Sequence, residues 1–412
     1  MKRLNFLGYL LPASYFKDKL LNMDQTDKLF QDFPPVSKEE WLEKVAKDLK
    51  GKSLEDLFWH LEEGITVEPF YHRSDLDAPG QPLTHASPGN DWEIGEYYQV
   101  EDIKQANEQA LEGLANGVQA LGFELYHPLQ SGDLNKLLSG IELAYISTNF
   151  GEYYPEKHPL AIVRQLVALV KERGLDKQKI EGSVDFDPIL DWNEPPLDDL
   201  AEGIQLVDME LPRFKIVQVN GRYYHAGPQE VSRELAYTIA KGNAYLSAMQ
   251  ERGVAPGLTN HHLQFSLSIS TSYFVAMAKI RALKILWLNV LKGYGVSDLS
   301  VPEVVVHFAH ESQDDNPNTN MIRAATQAMS AVIGGADRLY VLPANHALHE
   351  ASTPFTRRVA RNVQHLLKME SHLDKVVDPA AGSYYIEQLT QKLATKAWAT
   401  FQKLEETKEF KV

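Results

Sequence analysis

No cysteine occurs in the 412 residues, which removes disulfides, thiolate nucleophiles and cysteine-ligated metal centres together. The chain is compatible with a reducing compartment, and the expectation is a cytoplasmic protein. It also lacks any apolar run near the roughly 18 to 20 residues that a membrane span needs. Positive charge is in deficit, with 41 Lys and Arg against 56 Asp and Glu and a net charge of −15. That balance argues against nucleic acid or an anionic membrane as partner, since both require clustered cations. A small anion in a local basic pocket stays open. With 44% hydrophobic residues, the chain can bury a large core, as one big domain or a big domain plus an accessory. Residues 1–21, with Lys2 and Arg3 before Leu4, Phe6, Leu7, Leu10 and Leu11, weakly resemble a leader but have no small-residue cleavage site. Met23 precedes the polar Asp24-Gln25-Thr26-Asp27, so the native start is Met1 or Met23.

Three regions follow: an extension over 1–35, a helical and extended arm over 36–100, and a repeating α/β region over 101–412. Ser37 and Glu40 have capping-box spacing, with Trp41, Val45 and Leu49 on one helix face. Pro69, Pro79, Pro82 and Pro88, with Gly80 and Gly89, interrupt what comes next, an irregular path suited to wrapping its own barrel or a partner. Beyond residue 101, eight strand-like runs alternate with helices: 119–125, 141–148, 180–187, 214–220, 262–269, 303–308, 338–342 and 375–377. The clearest helices are 230–252, 272–291, 318–333, 355–373 and 384–404, where apolar residues recur every three or four positions. Within the second of these, Lys284 is expected to bury only its stem. Eight β-then-α units predict a (β/α)8 TIM barrel preceded by an extended arm, with a doubly wound open sheet as the alternative.

A barrel of this kind carries its site at the carboxyl ends of its strands. The residues this selects include Glu124, Tyr126 and His127, then Asp185 and Asp187, then Tyr223, Tyr224 and His225, then His307, His310 and Glu311, then Asn345 and His346. These histidines and acids admit a metal-dependent enzyme, but His307 and His310 lie three apart on an extended segment and point to opposite faces. A polar, hydrogen-bonding barrel mouth accounts for the same residues, and no metal is expected. Gly51-Lys52-Ser53 lacks the upstream glycine and preceding strand of a phosphate loop and reads as a turn. Asp378-Pro379-Ala380-Ala381-Gly382-Ser383 joins the last run to the last helix, either as an anion-binding helix start at Ser383 or as a tight turn with an N-cap.

That stretch, continued by Tyr384-Tyr385-Ile386-Glu387 and Leu389-Thr390, resembles the segment that closes the catalytic barrel in the methylmalonyl-CoA mutase family. Arg358-Val359-Ala360-Arg361-Asn362, Ala278-Lys279-Ile280-Arg281-Ala282 with Leu286-Trp287, Glu234-Leu235-Ala236-Tyr237 and Gly64-Ile65-Thr66-Val67-Glu68-Pro69 are similar to further family signatures. They follow the family's order from about residue 36 to 407. The resemblance implies a barrel that binds acyl-CoA along its axis. It also implies adenosylcobalamin chemistry on a separate domain, with a histidine ligating cobalt.

The departures carry as much meaning. No Asp-x-His-x-x-Gly cobalt motif is present, so the resemblance places the cofactor on a partner. Where catalytic relatives read Arg-Pro-Trp-Thr-Ile-Arg-Gln-Tyr, this chain has Asn90-Asp91-Trp92-Glu93-Ile94-Gly95-Glu96-Tyr97. Two cations that would meet CoA phosphates are gone, and Glu93 and Glu96 are expected to repel a polyanion. Tyr97 matches the family's radical-site tyrosine. The Tyr-His pair is out of register, with Tyr223 near the histidine position and Tyr224-His225 beyond it. On the sixth run, Val306, Phe308 and His310 stand where relatives alternate Arg, His and Gln. The resemblance therefore points to the small, non-catalytic subunit, forming a heterodimer with a large catalytic subunit through residues 36–90, with Trp41, Trp59 and Phe70 as candidate anchors. Tyr97, Tyr223, Tyr224 and His225 become vestigial catalytic candidates. Asp185, His307, His310, Asn345 and Ser383 become substrate-pocket candidates. The competing expectation is an active acyl-CoA mutase barrel working with a separate cobalamin-binding chain.

Overall fold

The computed structural model describes residues 34–76, 89–346, 351–407 and 410. The expected extension, the choice of start, and Pro79, Gly80, Pro82 and Pro88 lie outside them. The chain divides into two compact units, residues 1–58 and 59–412. In the first, α1 (Lys38–Asp48) opens on the expected capping box, with Ser37 Oγ accepting from Glu40 N and the Glu40 carboxylate accepting from Ser37 N at 2.9 Å. Gly51 sits at φ +91° and Ser53 caps a single 3₁₀ turn, so Gly51-Lys52-Ser53 is a turn, as its spacing predicts.

The second unit begins with an antiparallel hairpin, β1 (Trp59–Glu62) and β2 (Ile65–Val67). A closed parallel barrel follows. Its strands are β3 (Glu93–Val100), β4 (Ala120–Leu125), β5 (Ser147–Glu152), β6 (Glu181–Val184), β7 (Arg213–Lys215), β8 (Val217–Asn220), β9 (Leu263–Ile269), β10 (Glu303–Phe308) and β11 (Arg338–Tyr340). β11 pairs with β3, which joins the two ends of the strand list. β7 and β8 form one barrel strand broken by a bulge, because the amides of Ile216 and Val217 both donate to His262 O at 3.0 Å. The first half pairs with β6 and the second with β9, giving eight positions around the ring. The (β/α)8 expectation holds.

The expected strand set shifts at both ends, and the run at 141–148 is turn until β5 begins at Ser147. The run at 375–377 is not a strand: a 3₁₀ turn ends at Lys375, and Val376 and Val377 are exposed. The first barrel strand is instead β3, whose residues fall within the segment read as arm. The hairpin likewise belongs to the barrel. Leu61, Ile65, Val67 and Tyr71 are buried in the common core, each contributing roughly 1.5–3 kcal/mol by leaving water. Lys392, on the terminal helix α12 (Tyr384–Thr407), donates to Thr66 O at 2.8 Å and Tyr71 Oη at 2.9 Å. The Glu62 carboxylate accepts from Ser232 N at 2.9 Å at the start of α7 (Val231–Glu251).

α9 (Tyr273–Gly293) is buried on nearly every face, so its charged residues need internal partners. Lys279 reaches both oxygens of Glu234 at 2.7 Å, and Arg281 pairs with Asp378 and with Glu387 at 2.8 Å. Lys284 departs from expectation. Its whole side chain is buried, with Nζ donating to Gly335 O at 2.6 Å, and burial lowers its pKa.

Candidate functional site

The barrel axis is filled by its own side chains. Tyr97 from β3 and Tyr340 from β11 stack with centroids 4.1 Å apart and planes at 16°. His307 from β10 lies nearly parallel to Tyr340, 5.5 Å away, and shares a 2.7 Å hydrogen bond between its Nδ1 and Tyr97 Oη. Two glycines admit this stack. A Cβ on Gly95 would lie 2.8 Å from the Tyr340 ring, and one on Gly122 would lie 2.6 Å from the Tyr97 ring. Towards the amino-terminal end, buried Arg338 closes the axis. It donates to Glu93 Oε2 at 2.6 Å, Asn149 Oδ1 at 2.8 Å and Glu303 Oε2 at 3.2 Å. The free space left among these groups is about 50 Å³, room for a few water molecules.

Burial governs the titration of the stack. It drives the His307 pKa well below the usual imidazole value, with Arg222 and Arg338 adding to the effect. It raises the Tyr97 and Tyr340 phenols. At neutral pH the stack is therefore uncharged. Glu93 has a carboxyl pushed up by burial and held back by Arg338.

The two acids expected to repel CoA phosphates are both engaged inside the fold. Glu93 belongs to the Arg338 network, and Glu96 accepts from Arg357 at 2.5 Å and Arg361 at 2.9 Å on α11 (Pro354–His365). Asn90 donates to Leu373 O at 2.8 Å. The expectation for β10 also needs correction. Val305 and His307 face the axis, so strand alternation turns Val306 and Phe308 towards the helices.

The sequence-selected residues do not converge on one site. Tyr97, His307 and Asp185 line the axial space. Tyr223 is exposed at the mouth. Tyr224 turns outward against Tyr237 and Phe410. His225 is held by Glu234, with Nδ1 to Oε2 at 2.8 Å, while Glu311 lies 2.6 Å from its Nε2. His310 faces His346 at 3.1 Å. Asn345 is buried and donates to Ala351 O at 3.0 Å. Ser383 is exposed at the start of α12, where Glu387 Oε1 accepts from Gly382 N at 2.9 Å. With Asp378 on Arg281 and Glu387 on Gly382, the 378–387 segment is built as a clamp and not as an anion cradle. Sequence reasoning missed Arg222, Arg338 and Tyr340. A lone arginine opening the buried run Arg338-Leu339-Tyr340 was the available signal, since such a cation requires buried acids.

Among the described residues, no group of three His, Cys, Asp or Glu side chains could hold a metal ion, and no helix is long and apolar enough to cross a membrane. Fold and site define an eight-stranded parallel α/β barrel whose axis is occupied by stacked rings and a buried ion network. Residues 129–408 match the family model described as methylmalonyl-CoA mutase, and the chain belongs to that family. It is 34% identical over 407 residues to the methylmalonyl-CoA mutase small subunit of Porphyromonas gingivalis, covering 94% of this chain and 65% of that protein. The small subunit of Streptomyces virginiae is 30% identical, covering 92% and 65%. The methylmalonyl-CoA mutase of Cereibacter sphaeroides is 30% identical, covering 89% and 58%. The chain thus spans about three fifths of the length of these relatives.

The family uses adenosylcobalamin, and four of the imidazoles at this barrel mouth are already engaged within the fold. His225 is enclosed by Glu234, Lys279 and Glu311, His307 is bonded to Tyr97, and His310 and His346 contact each other.

Proposed function

We propose that this chain acts as the non-catalytic small subunit of a cytoplasmic, heterodimeric methylmalonyl-CoA mutase. In this reading it stabilises a large catalytic subunit that carries adenosylcobalamin and interconverts methylmalonyl-CoA and succinyl-CoA. The observation that carries the proposal is the filled axis. About 50 Å³ remains where the family admits its acyl thioester, against the roughly 300–1,000 Å³ of typical small-molecule sites. Enlarging that space means displacing Tyr340 or breaking the Arg338 network, and both are fixed by close packing and ion pairs. The loss of cations at positions 90 and 95 agrees with this reading. The names of the relatives support a two-subunit assembly.

The test is size-exclusion chromatography with light scattering on this chain alone and mixed with its cognate large subunit. Both samples are assayed for mutase turnover with added adenosylcobalamin. The expected result is a one-to-one complex, with turnover only when the large chain is present. Turnover by this chain with an isolated cobalamin-binding domain would instead establish an active barrel.

A further inference from the structure

We propose that His310 and His346 form a two-imidazole site for a divalent transition-metal ion of the zinc class at the rim of the barrel mouth. His310 opens the 3₁₀ turn His310–Ser312 after β10, and His346 stands in the loop after β11. His346 Nε2 lies 3.1 Å from His310 Nδ1. The ring centroids are 4.9 Å apart with planes tilted at 34°, so nitrogen edges meet and ring faces do not. The two residues are 36 positions apart, and no spacing along the chain announces the pair.

The separation suits a shared ion. Zinc–imidazole bonds run to about 2.0–2.1 Å, so an ion bonded to both nitrogens across 3.1 Å sees them at roughly 100°, near the tetrahedral angle. When the ion binds, the proton of the N–H···N contact moves to the outer nitrogen of its own ring, leaving a lone pair on each inner nitrogen. A second observation is that the spacing is fixed by the fold. Asn320 on α10 (Pro317–Gly334) is 2% exposed and ties the two loops together. Its Nδ2 donates to Asp314 O at 2.7 Å and to Ala344 O at 2.9 Å, and its Oδ1 accepts from Asp314 N at 2.7 Å. Within the loops, Gln313 N donates to His310 O at 3.0 Å and His346 N to Pro343 O at 2.9 Å. Backbones held in this way have already lost the freedom that chelation would otherwise have to remove.

The donor type sets the class of ion. Imidazole nitrogen suits zinc, nickel and copper(II), whereas magnesium and calcium take oxygen. Glu311, beside His310, turns to His225 Nε2 at 2.6 Å, and among the described residues no third His, Cys, Asp or Glu joins the pair. Water therefore completes the coordination, and the ion is exchangeable. His310 is exposed, which gives the ion its entry path. A bound ion would cross-link the β10 and β11 loops at the mouth, above the buried Asn320 tie.

The experiment is isothermal titration calorimetry of the metal-stripped full chain, free of any affinity tag, with zinc chloride and with magnesium chloride as a control. The expected result is one saturable zinc equivalent that magnesium does not reproduce. His310→Ala and His346→Ala should each weaken that equivalent at least tenfold, since either leaves a single imidazole, with thermal unfolding confirming that both fold. His60→Ala, exposed on β1, should leave it unchanged. Absence of saturable zinc binding, or undiminished affinity in either folded variant of the pair, overturns the proposal. Magnesium binding of equal affinity, lost in the same variants, overturns the assigned class of ion. The titration of the chain alone stands independently of the subunit role.

Discussion

The ring of Tyr340 occupies the space that a side chain at position 95 would need. A Cβ on Gly95 would lie 2.8 Å from two of its ring carbons and 2.9 Å from Leu339 O. By the family resemblance an arginine stands at the matching position in catalytic relatives, and the Tyr340 ring leaves no room for one here. Gly95→Ala should cost about 1–3 kcal/mol through overpacking, and Tyr340→Ala about 3–5 kcal/mol through the cavity it leaves. The double variant should cost less than the sum by about 1 kcal/mol, because truncating the ring relieves the ring clash but not the contact with Leu339 O. Urea unfolding of the four proteins measures this, and strict additivity contradicts the coupling.

Arg281 joins two segments that the family resemblance singled out separately, the one around Ala278–Ala282 and the one at Asp378–Glu387. Its guanidinium is almost wholly buried, with Asp378 and Glu387 as partners. Arg281→Met keeps the volume and removes the cation that both acids share, so it should destabilise by about 3–5 kcal/mol. Glu387→Gln leaves Asp378 in place and should cost less. If Arg281→Met unfolds at the wild-type denaturant concentration, the clamp is not structural.

Acid sensitivity should come largely from histidine. Burial pushes the His262 imidazole down from 6.5 to about 4, even though its Nδ1–H donates to Phe214 O at 2.8 Å. A depressed imidazole pKa means the unfolded chain binds the extra proton first. Stability from this group is therefore complete above about pH 6.5 and declines as pH falls towards 4, by a total on the order of 3 kcal/mol. His307 acts in the same direction. Unfolding free energies from pH 7.5 to 4.5 should show this slope, and His262→Asn should flatten it. An unchanged slope in that variant would place the proton uptake elsewhere.

Much of the helical pattern was legible because apolar residues recur every three or four positions and some helices mark their ends. The Ser37–Glu40 box and the long apolar periodicities of α9 and α12 appear where the pattern puts them. The first strand was hidden because β3 carries charge on both faces. Glu93 turns to Arg338 on the axis and Glu96 turns to Arg357 and Arg361 among the helices, so no apolar alternation marks it. Lys375-Val376-Val377 misled in the opposite way, as two β-branched residues in an exposed loop. The site was harder still. Which of Tyr223, Tyr224 and His225 faces inward depends on the 3₁₀ turn after β8, and that turn sends Arg222 towards Tyr153 and Asp185 instead. Spacing along the chain does not encode that rotation.

Tyr97 matches the family's radical-site tyrosine, and we infer that it serves here as part of a plug. The most direct measurement is turnover of the reconstituted two-subunit mutase with Tyr97→Phe in this chain alone, a change that keeps the ring on Tyr340 and removes only the hydroxyl bonded to His307. The expected activity is within about twofold of wild type, below the roughly 0.6 kcal/mol that RT represents at the barrier. A loss of a hundredfold or more in a complex of unchanged mass would mean that this barrel does the chemistry.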